Sequence, residues 1–335
     1  GVWSAVQQID FADGTTTTIG VQGQAPPFTF TWIGTASNKT LVGSDYGTNV
    51  FKLGAGGDSV TFGNSDNGGS GNNTIDFDKG DGQVAVTVNS GLGAVQMASD
   101  IADGDVIFQA NNSGDLTIAL ADDNADRITI AGDLHSYSWG VWSAVQQIGF
   151  ADGTTTTIGV QGQPPFTFTW IGSGANETLT GSSFGNNVFE DGGGNDVLNG
   201  GGGYDTYKFG TTFGQTVINN YASDNDGSPQ GEIDLASGGV AANQLWFEQS
   251  GNNLKIDLLG TNDSITVDNW YASDKRNQVE SIHAGDGLTI DSQLQQLVSA
   301  MATYTANNPG FDPTQTSQMP TDSSLQTALA AAWHH

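Results

Sequence analysis

The chain has 335 residues, and its 36 acidic and 8 basic side chains give a formal net charge of −28. Such a charge argues against binding to nucleic acid or to anionic membrane surfaces. The absence of cysteine excludes disulfides and thiolate metal sites, and no apolar run approaches the ~20 residues of a membrane-spanning helix. Asp outnumbers Glu by 31 to 5, a bias typical of turns and of oxygen ligands for hard cations.

The chain opens on a segment that occurs twice. Gly1–Gly34 recurs almost letter for letter as Gly140–Gly172, and a repeat of this length takes precedence over other indications of fold. Because residue 1 lies within the repeated pattern, we expect the chain to be a fragment of a longer protein. Each copy ends on PPFTFTWIG, which places two Phe and a Trp on one strand face. We interpret this face as the cap of a folded core; a platform for sugar rings is the alternative.

Each copy leads into a Gly- and Asp-rich array. Asn38–Phe51 in the first array parallels Asn176–Phe189 in the second. Strand-forming units follow at Gly114–Ile130 and Asn253–Val267, where every second side chain is apolar between Asx and Gly turns. The order of segments is therefore a closing strand, a glycine-rich array and a β unit, and this order occurs twice.

The second array contains the sharpest motif, DGGGNDVLNGGGGYDTYK at residues 191–208. Its second nine residues match G-G-x-G-x-D-x-U-x in full, where U is a large apolar residue, and its first nine match at all positions but the first. Glycine lets these turns adopt φ > 0, and two nonapeptides complete one coil, so carboxylates of successive coils stack. A hard divalent cation relieves their repulsion, and Ca²⁺ suits such a flexible, all-protein oxygen cage better than Mg²⁺.

This motif resembles the RTX (haemolysin-type calcium-binding) repeat, and the β units resemble the modules that flank it in type I-secreted bacterial proteins. The resemblance implies an all-β fold in which parallel β-roll repeats alternate with flanking β-strand modules, followed by short C-terminal α-helices. It also implies bound Ca²⁺, with Glu177 paired to Asp196 and Asn187 paired to Asp205. The predicted metal-site residues are Glu177, Asn187, Asp191, Gly192, Gly194, Asp196, Gly201, Gly203 and Asp205, together with Asp58 of the first array.

The first array departs from this pattern. At the repeat position where the second array has Glu177, Asn187, Asp196 and Asp205, the first array has Lys39, Asn49, Asp58 and Asn73. Lys39 stands opposite Asp58 across the stack, so its ammonium group is expected to take the place of a metal ion. We therefore predict a first roll that is largely without calcium and is held by a Lys39–Asp58 pair and Asn ladders.

The tail after residue 290 carries helical patterns. One apolar face follows an Asp291 N-cap and a second follows Thr321-Asp322. The apolar residues of the two faces are Leu294, Leu297, Val298 and Met301, and Leu325, Ala328, Leu329 and Trp333. This tail has no Lys or Arg, and by the resemblance we expect it to act as an uncleaved type I secretion signal.

Catalytic patterns are absent from the sequence. The internal histidines, His135 and His283, belong to no triad or metal-ligand spacing, and neither G-x-S-x-G nor H-E-x-x-H occurs. We therefore expect no enzymatic activity of the chain itself.

The sequence divides into six segments. They are a truncated closing β module at 1–34, a degenerate RTX-like roll at 35–105, a flanking β module at 106–172, an RTX β-roll at 173–215, a second flanking module at 216–290 and the helical tail at 291–333. Residues 334–335 are interpreted as the remnant of a purification tag.

Together these features predict a noncatalytic calcium-binding module. It is expected to fold on extracellular Ca²⁺ and to support type I secretion and stability of a larger secreted or cell-surface structural or adhesive bacterial protein. Its expected partners are calcium and, through the tail, the type I secretion machinery, with self-association or surface glycans as further candidates. The alternative is the C-terminal region of an extracellular hydrolase or polysaccharide lyase whose catalytic domain precedes residue 1.

Overall fold

The computed structural model describes residues 8–10, 16–18, 29–35, 38–44, 47–63, 72–89, 91–123, 125–137, 140–161, 163–221 and 227–335. Phe28 and much of the closing module predicted at 1–34 lie outside these ranges. The described residues divide into two compact units. Unit 1 lies within Gly1–Phe108 and Ser113–Pro164, and unit 2 within Gln109–Asn112 and Pro165–His335. The finer six-segment division stays a prediction.

Short strands fill the first half of the chain. They are β1 (Gln8–Asp10), β2 (Thr16–Thr18), β3 (Thr29–Ile33), β4 (Thr40–Val42), β5 (Thr48–Lys52), β6 (Ser59–Phe62), β7 (Asn72–Phe77), β8 (Gln83–Val88), β9 (Leu92–Met97), β10 (Val106–Ala110), β11 (Leu116–Leu120), β12 (Arg127–Ile130), β13 (His135–Tyr137), β14 (Gly140–Trp142), β15 (Val145–Gly149) and β16 (Thr155–Thr157).

The second half adds further strands and two α-helices. They are β17 (Thr167–Ile171), β18 (Thr178–Thr180), β19 (Asn186–Glu190), β20 (Val197–Asn199), β21 (Asp205–Lys208), β22 (Gln215–Asn219), β23 (Glu232–Asp234), β24 (Leu245–Ser250), β25 (Asn253–Leu258), β26 (Ser264–Val267), β27 (Ser281–His283), β28 (Thr289–Ile290), α1 (Leu294–Asn307) and α2 (Ser323–Ala332).

Successive strands of unit 1 alternate between two sheets. One sheet has the order β16-β15-β9-β7-β5-β3 and the other the order β10-β11-β12-β8-β6-β4. The pairs from β3 to β15 and from β4 to β12 are parallel. The chain therefore winds as a parallel β-roll, which we call roll 1, and antiparallel strands at its end close it.

Unit 2 repeats this topology. Its sheets have the orders β17-β19-β21-β23-β27-β28 and β18-β20-β22-β26-β25-β24, and the pairs from β17 to β27 and from β18 to β26 are parallel. We call this parallel stack roll 2. The predicted fold class, an all-β chain of parallel rolls with closing β modules and short C-terminal helices, is confirmed.

The core of roll 2 is a column of aromatic rings. Trp170 of β17 stacks on Phe189 at a centroid distance of 6.4 Å, and Phe189 stacks on Tyr207 at 5.2 Å. Phe189 and Tyr207 are fully buried, and Tyr207 donates its hydroxyl hydrogen bond to Asn220 Oδ1 at 2.9 Å. The repeated aromatic strand is thus the first strand of the stack, as its interpretation as a core cap required.

The C-terminal helices complete this same core. The residues predicted to face inwards are buried: Leu294, Leu297, Val298, Met301, Leu325, Leu329 and Trp333; Ala328 is partly buried. Asp322 caps α2 by accepting hydrogen bonds from Ser324 N and Leu325 N, each at 3.0 Å. No helix in the described ranges is long and apolar enough to span a bilayer.

The N-cap predicted for the first helix is wrong. Helix α1 begins at Leu294, with Gln293 as its N-cap. The chain stays extended up to Ile290 because Thr289 pairs with His334, Thr289 N donating to His334 O at 2.7 Å. The Asp291 carboxylate accepts instead from the Ser292 hydroxyl at 2.9 Å.

Candidate calcium site

Two rows of turns connect the sheets of roll 2. In row A, Glu177 and Asp196 precede β18 and β20; in row B, Asn187 and Asp205 occupy facing positions on β19 and β21. Glu177 N donates to Asp196 Oδ1 at 2.7 Å, and Asn187 Nδ2 donates to Asp205 Oδ1 at 2.8 Å. Both predicted pairs therefore lie side by side in successive coils.

Asp196 carries the most informative atom of row A. Its side chain is 1% exposed, and its Oδ2 is buried and accepts no hydrogen bond within the described residues. Burial raises the pKa of this carboxyl, and the nearby charge of Glu177 raises it further. A buried carboxylate oxygen without a donor is costly unless a cation or a proton compensates for it.

Asp191 adds a third carboxylate to row A. It is 1% exposed and accepts hydrogen bonds from Thr216 Oγ1 at 3.0 Å and from Gly193 N at 3.1 Å. Burial raises the pKa of Asp191 to about 6, and the charge of Asp196 contributes in the same direction. Row A thus concentrates Glu177, Asp191 and Asp196 with no basic side chain among them.

Two glycines of row A pack closely against backbone carbonyls of the preceding coil. Gly192 and Gly194 have φ of 77° and 104°, which disfavours any residue with a side chain. A Cβ on Gly192 would lie 2.4 Å from Gly172 O, and a Cβ on Gly194 2.4 Å from Ala175 O and 3.3 Å from Asp196 Oδ1. Beside Gly194, a carbonyl oxygen and a carboxylate oxygen therefore lie near the same point, and such oxygens are the ligands that Ca²⁺ prefers.

Row B is arranged differently, because an amide group sits among its oxygens. Asn187 is fully buried, and besides Asp205 its Nδ2 contacts Ser182 O at 3.0 Å, Gly202 O at 3.1 Å and Gly185 O at 3.3 Å. Asn187 Oδ1 accepts from Trp170 Nε1 at 3.1 Å and from Ser182 N at 2.7 Å. Both of these groups are obligatory donors, so they fix the orientation of the amide. Its nitrogen occupies the centre of the oxygen cluster.

Gly201 and Gly203 line row B at φ of 98° and 77°, against the Gly181 and Gly185 carbonyls. This geometry favours a structural role for Asn187. Ligand roles for Asn187, Gly201, Gly203 and Asp205 stay predictions.

Roll 1 provides an internal comparison for row A. Its residues Lys39, Leu53 and Asp58 align with Glu177, Asp191 and Asp196, so the formal charge of the three positions is 0 in roll 1 and −3 in roll 2. Asp58 is 1% exposed, and its two oxygens accept from Lys39 N at 2.8 Å and Gly54 N at 3.4 Å. Roll 1 therefore satisfies both carboxylate oxygens with backbone donors, whereas roll 2 leaves one oxygen without a donor.

The ion pair predicted between Lys39 and Asp58 is wrong. The backbone N–H of Lys39, not its ammonium group, contacts the Asp58 carboxylate. Because this N–H already occupies the position next to the carboxylate, the Lys39 side chain is exposed to solvent. The predicted Asn ladder is confirmed, since Asn49 Nδ2 donates to Asn73 Oδ1 at 3.0 Å. Asn49 also repeats the contacts of Asn187, accepting from Trp32 Nε1 at 3.1 Å.

The acidic side chains alone do not enclose a cation. Within the described ranges, no three Asp, Glu or His side chains converge in an arrangement that could hold a metal ion. A cation in row A would therefore need backbone carbonyls as further ligands, as the glycine positions allow. Thr216, which orients Asp191, was missed by sequence reasoning because it lies outside the nonapeptides.

Acidic turns also continue into the β units, which the nonapeptide pattern did not reveal. Asp126, just before β12, accepts from Gly80 N at 2.6 Å and Gly82 N at 2.9 Å. Asp263 holds the corresponding place before β26 and accepts from Phe213 N at 3.3 Å. The sequence alignment of the two β units places these two aspartates at corresponding positions, so it could have indicated them.

One histidine of roll 2, His283, lies beside a serine and a glutamate, but the three are not arranged as a catalytic triad. Ser281 Oγ lies 2.9 Å and Glu232 Oε2 3.3 Å from the same atom, His283 Nε2. A nucleophile–base–carboxylate relay needs its two partners on different ring nitrogens. The Ser281–His283–Glu232 group therefore provides no such relay.

The pKa of Asp191 predicts a pH effect on metal-free protein. Its folded pKa of about 6 lies above the ordinary value near 3.9. The proton held in the folded state therefore stabilises roll 2 fully below about pH 4, and this stabilisation is lost as the pH rises through about 6. Urea unfolding in EDTA should show that the free energy of unfolding falls over this pH range, and Asp191→Asn should remove the part of this fall that Asp191 causes.

Asp81 in unit 1 also has a pKa raised to about 6, so the quantity to measure is the difference in pH dependence between the unchanged chain and Asp191→Asn. Equal pH profiles of the two proteins would contradict the assignment.

Comparison with known proteins identifies the end of roll 2. Residues 253–294 match the model of the haemolysin-type calcium binding protein related domain. This domain begins at β25 and includes the β27–β28 hairpin, and it confirms the resemblance predicted from the sequence.

Among solved structures, the chain is similar to the extracellular lipase LipA from Serratia marcescens, at 16% identity and a TM-score of 0.28. The alignment covers 69% of this chain and 37% of the lipase, so the chain spans well under half of that protein's length.

Proposed function

We propose that roll 2 binds one Ca²⁺ in row A and that this binding completes the folding of unit 2. Glu177, Asp191 and Asp196 would supply carboxylate oxygens, and carbonyls beside Gly192 and Gly194 the remainder. The observation that carries the proposal is Asp196 Oδ2, a buried carboxylate oxygen without a donor. Roll 1 would bind no calcium at the equivalent turn, because Asp58 is already satisfied by backbone donors.

Calcium would couple the folding of this module to its location. At net charge −28 the metal-free chain repels itself. Sites of extracellular modules have Kd values of about 10⁻⁴–10⁻³ M, so they stay empty where calcium is scarce and fill outside the cell. A site at about tenfold excess calcium over Kd adds roughly 1.4 kcal/mol to stability, and binding energy becomes folding energy.

Calorimetric titration with calcium, with far-UV circular dichroism in parallel, tests the row A site. We expect one site in this affinity range and an increase in ordered β-structure for the chain, and loss of both for Asp196→Asn. The matched control is Asp58→Asn, the equivalent change in roll 1, which should leave the titration unchanged. A titration unaffected by Asp196→Asn would refute the site.

We further propose that the module supports type I secretion of a larger bacterial protein, with residues 291–333 as the export signal. The acidic composition, the calcium-binding-related domain and the tail without Lys or Arg support this role. Export by cells with a type I system should require the tail. Secretion of a chain lacking residues 291–333 would contradict this part without affecting the calcium site.

Two kinds of larger protein are compatible with this module: a structural or adhesive surface protein, and a secreted hydrolase or lyase. The near-identical duplication of Gly1–Gly34 at Gly140–Gly172 favours the first. The sequence upstream in the parent distinguishes them: further copies of GVWSAVQQI support the surface protein, and a catalytic domain supports the enzyme. Glycan binding stays a secondary proposal, because Trp170 and Trp32 stack on core Phe rings.

A further inference from the structure

The segment that occurs twice forms the same hairpin in both copies. Strands β1 and β2 pair antiparallel with Ile9 opposite Thr17, and β15 and β16 pair antiparallel with Ile148 opposite Thr156. The register is therefore identical at corresponding residues. The same amino-acid sequence has produced the same local structure at two places in the chain.

The two hairpins are also almost identical in sequence. Residues 1–20 and 140–159 differ at one position, where Asp10 stands in the first copy and Gly149 in the second. Whatever the second hairpin can bind, the first is therefore equipped to bind through nearly the same residues.

The second hairpin closes roll 1. Strand β15 pairs in parallel with β9, the last parallel strand before it in that sheet, with Ile148 opposite Val95. Ile148 is fully buried, so the hairpin seals the end of the core. Roll 2 ends in the same way, because β27 pairs in parallel with β23, with Ile282 opposite Ile233, and β28 folds back on β27.

The first hairpin has no such roll within the described residues. There β1 and β2 form a two-stranded sheet of their own, while β9 and β23 each already carry a closing hairpin. A short two-stranded hairpin is only marginally stable alone, and the free edge of a parallel strand offers a row of unpaired N–H and C=O groups.

We propose that β1–β2 is a closing hairpin for a further roll of the same repeat type. The partner is a parallel β-roll whose last strand has a free edge and an apolar residue at the position that Val95 holds on β9. Binding adds β1 to that edge as a parallel strand, a known mode of recognition through main-chain hydrogen bonds. Rolls of this kind would thus be joined in series by the repeated segment, and the proposal does not depend on calcium binding.

The first experiment asks whether the first copy's sequence can close a roll. Gly149→Asp makes residues 140–159 identical to residues 1–20. Gly149 has no positive φ, and a Cβ there would lie 2.7 Å from Gln96 Oε1, the end of a flexible, exposed side chain that can move away. We expect the β15 amides to remain protected from hydrogen exchange. Loss of their protection would overturn the proposal.

The second experiment exposes β9 and asks whether β1 occupies it. Ile148→Pro removes an N–H from β15 and disrupts its pairing, so roll 1 becomes a roll with a free last strand. The readout is the set of β9 amides that face β15, such as Gly93 N, which donates to Ala144 O at 2.8 Å. We expect these amides to stay protected. If the hairpin comes from a second copy, oligomers should form in a concentration-dependent manner. Adding Ile9→Pro should abolish this protection, whereas Ile9→Pro alone should leave β9 unchanged.

Dependence on Ile9 is the decisive readout. If adding Ile9→Pro to the Ile148→Pro protein leaves the protection of β9 unchanged, whether that protection is high or low, β1–β2 does not close rolls. Sedimentation over a range of protein concentrations then separates closure by a second copy from closure within one chain, and either form supports the proposal.

Discussion

Exchanging row A residues between the rolls is expected to move the calcium requirement from roll 2 to roll 1. Glu177→Lys with Asp191→Leu gives roll 2 the residues that roll 1 carries, and it should lose calcium binding while becoming more stable in EDTA. The repulsion among three carboxylates disappears, and the hydroxyl of Thr216 keeps a partner in Phe213 O at 3.1 Å. Asp196 is then the one acidic residue among the three aligned positions, as Asp58 is in roll 1.

The reciprocal variant is Lys39→Glu with Leu53→Asp. Roll 1 should then bind one Ca²⁺ and lose stability without it, because its three aligned positions then carry the charge of −3 that they carry in roll 2. Calorimetry counts the sites and urea unfolding with and without EDTA measures their coupling to folding. Asp100→Lys with Asp122→Leu, at exposed positions, controls for the net-charge change of the first variant. If this control weakens calcium binding as strongly as the exchange does, general charge and not row A controls the metal.

The fold was predictable because its signals are local and repeated. The 3.6-residue spacing of Leu294, Leu297 and Met301 and the alternation in the β units each specify one buried face. The duplication then required two similar units. The Asp291 cap failed because a distant residue, His334, pairs with Thr289 and keeps the chain extended. No local pattern contains such a contact.

The site was predictable only in part. The eighteen-residue spacing that places Asp205 beside Asn187 follows from the period of the coil, so both rows could be read from the sequence. The sequence could not show which group occupies each oxygen cluster, a metal ion or an N–H donor. Both backbone N–H groups and side-chain amide N–H groups compete with a metal ion for these oxygens. A backbone amide satisfies Asp58, and in row B the orientation of the Asn187 amide is fixed by the Trp170 indole, a contact between strands.

Replacing the Asn187 amide should convert row B into a second calcium site. Asn187→Asp removes the N–H donors shared by the Ser182, Gly185 and Gly202 carbonyls and places a second buried carboxylate beside Asp205. Loss of such donors and the added buried charge together should cost about 3–5 kcal/mol in EDTA. Calcium should restore a large part of this loss, because the new carboxylate, Asp205 and the carbonyls form an oxygen cage of the kind that Ca²⁺ occupies.

The neutral variant Asn187→Leu separates metal rescue from repacking. It removes the same donors without adding a ligand, so it should be destabilised in EDTA and gain no more from calcium than the unchanged chain gains through row A. Urea unfolding of both variants across a calcium series measures the difference, and Asn49→Asp asks the same question of roll 1. There the rescue should be weaker, since Asn73 replaces the carboxylate of Asp205 and leaves the cage one charge short. Equal calcium dependence of the Asp and Leu variants would show that the amide of Asn187 does not stand in the place of a cation.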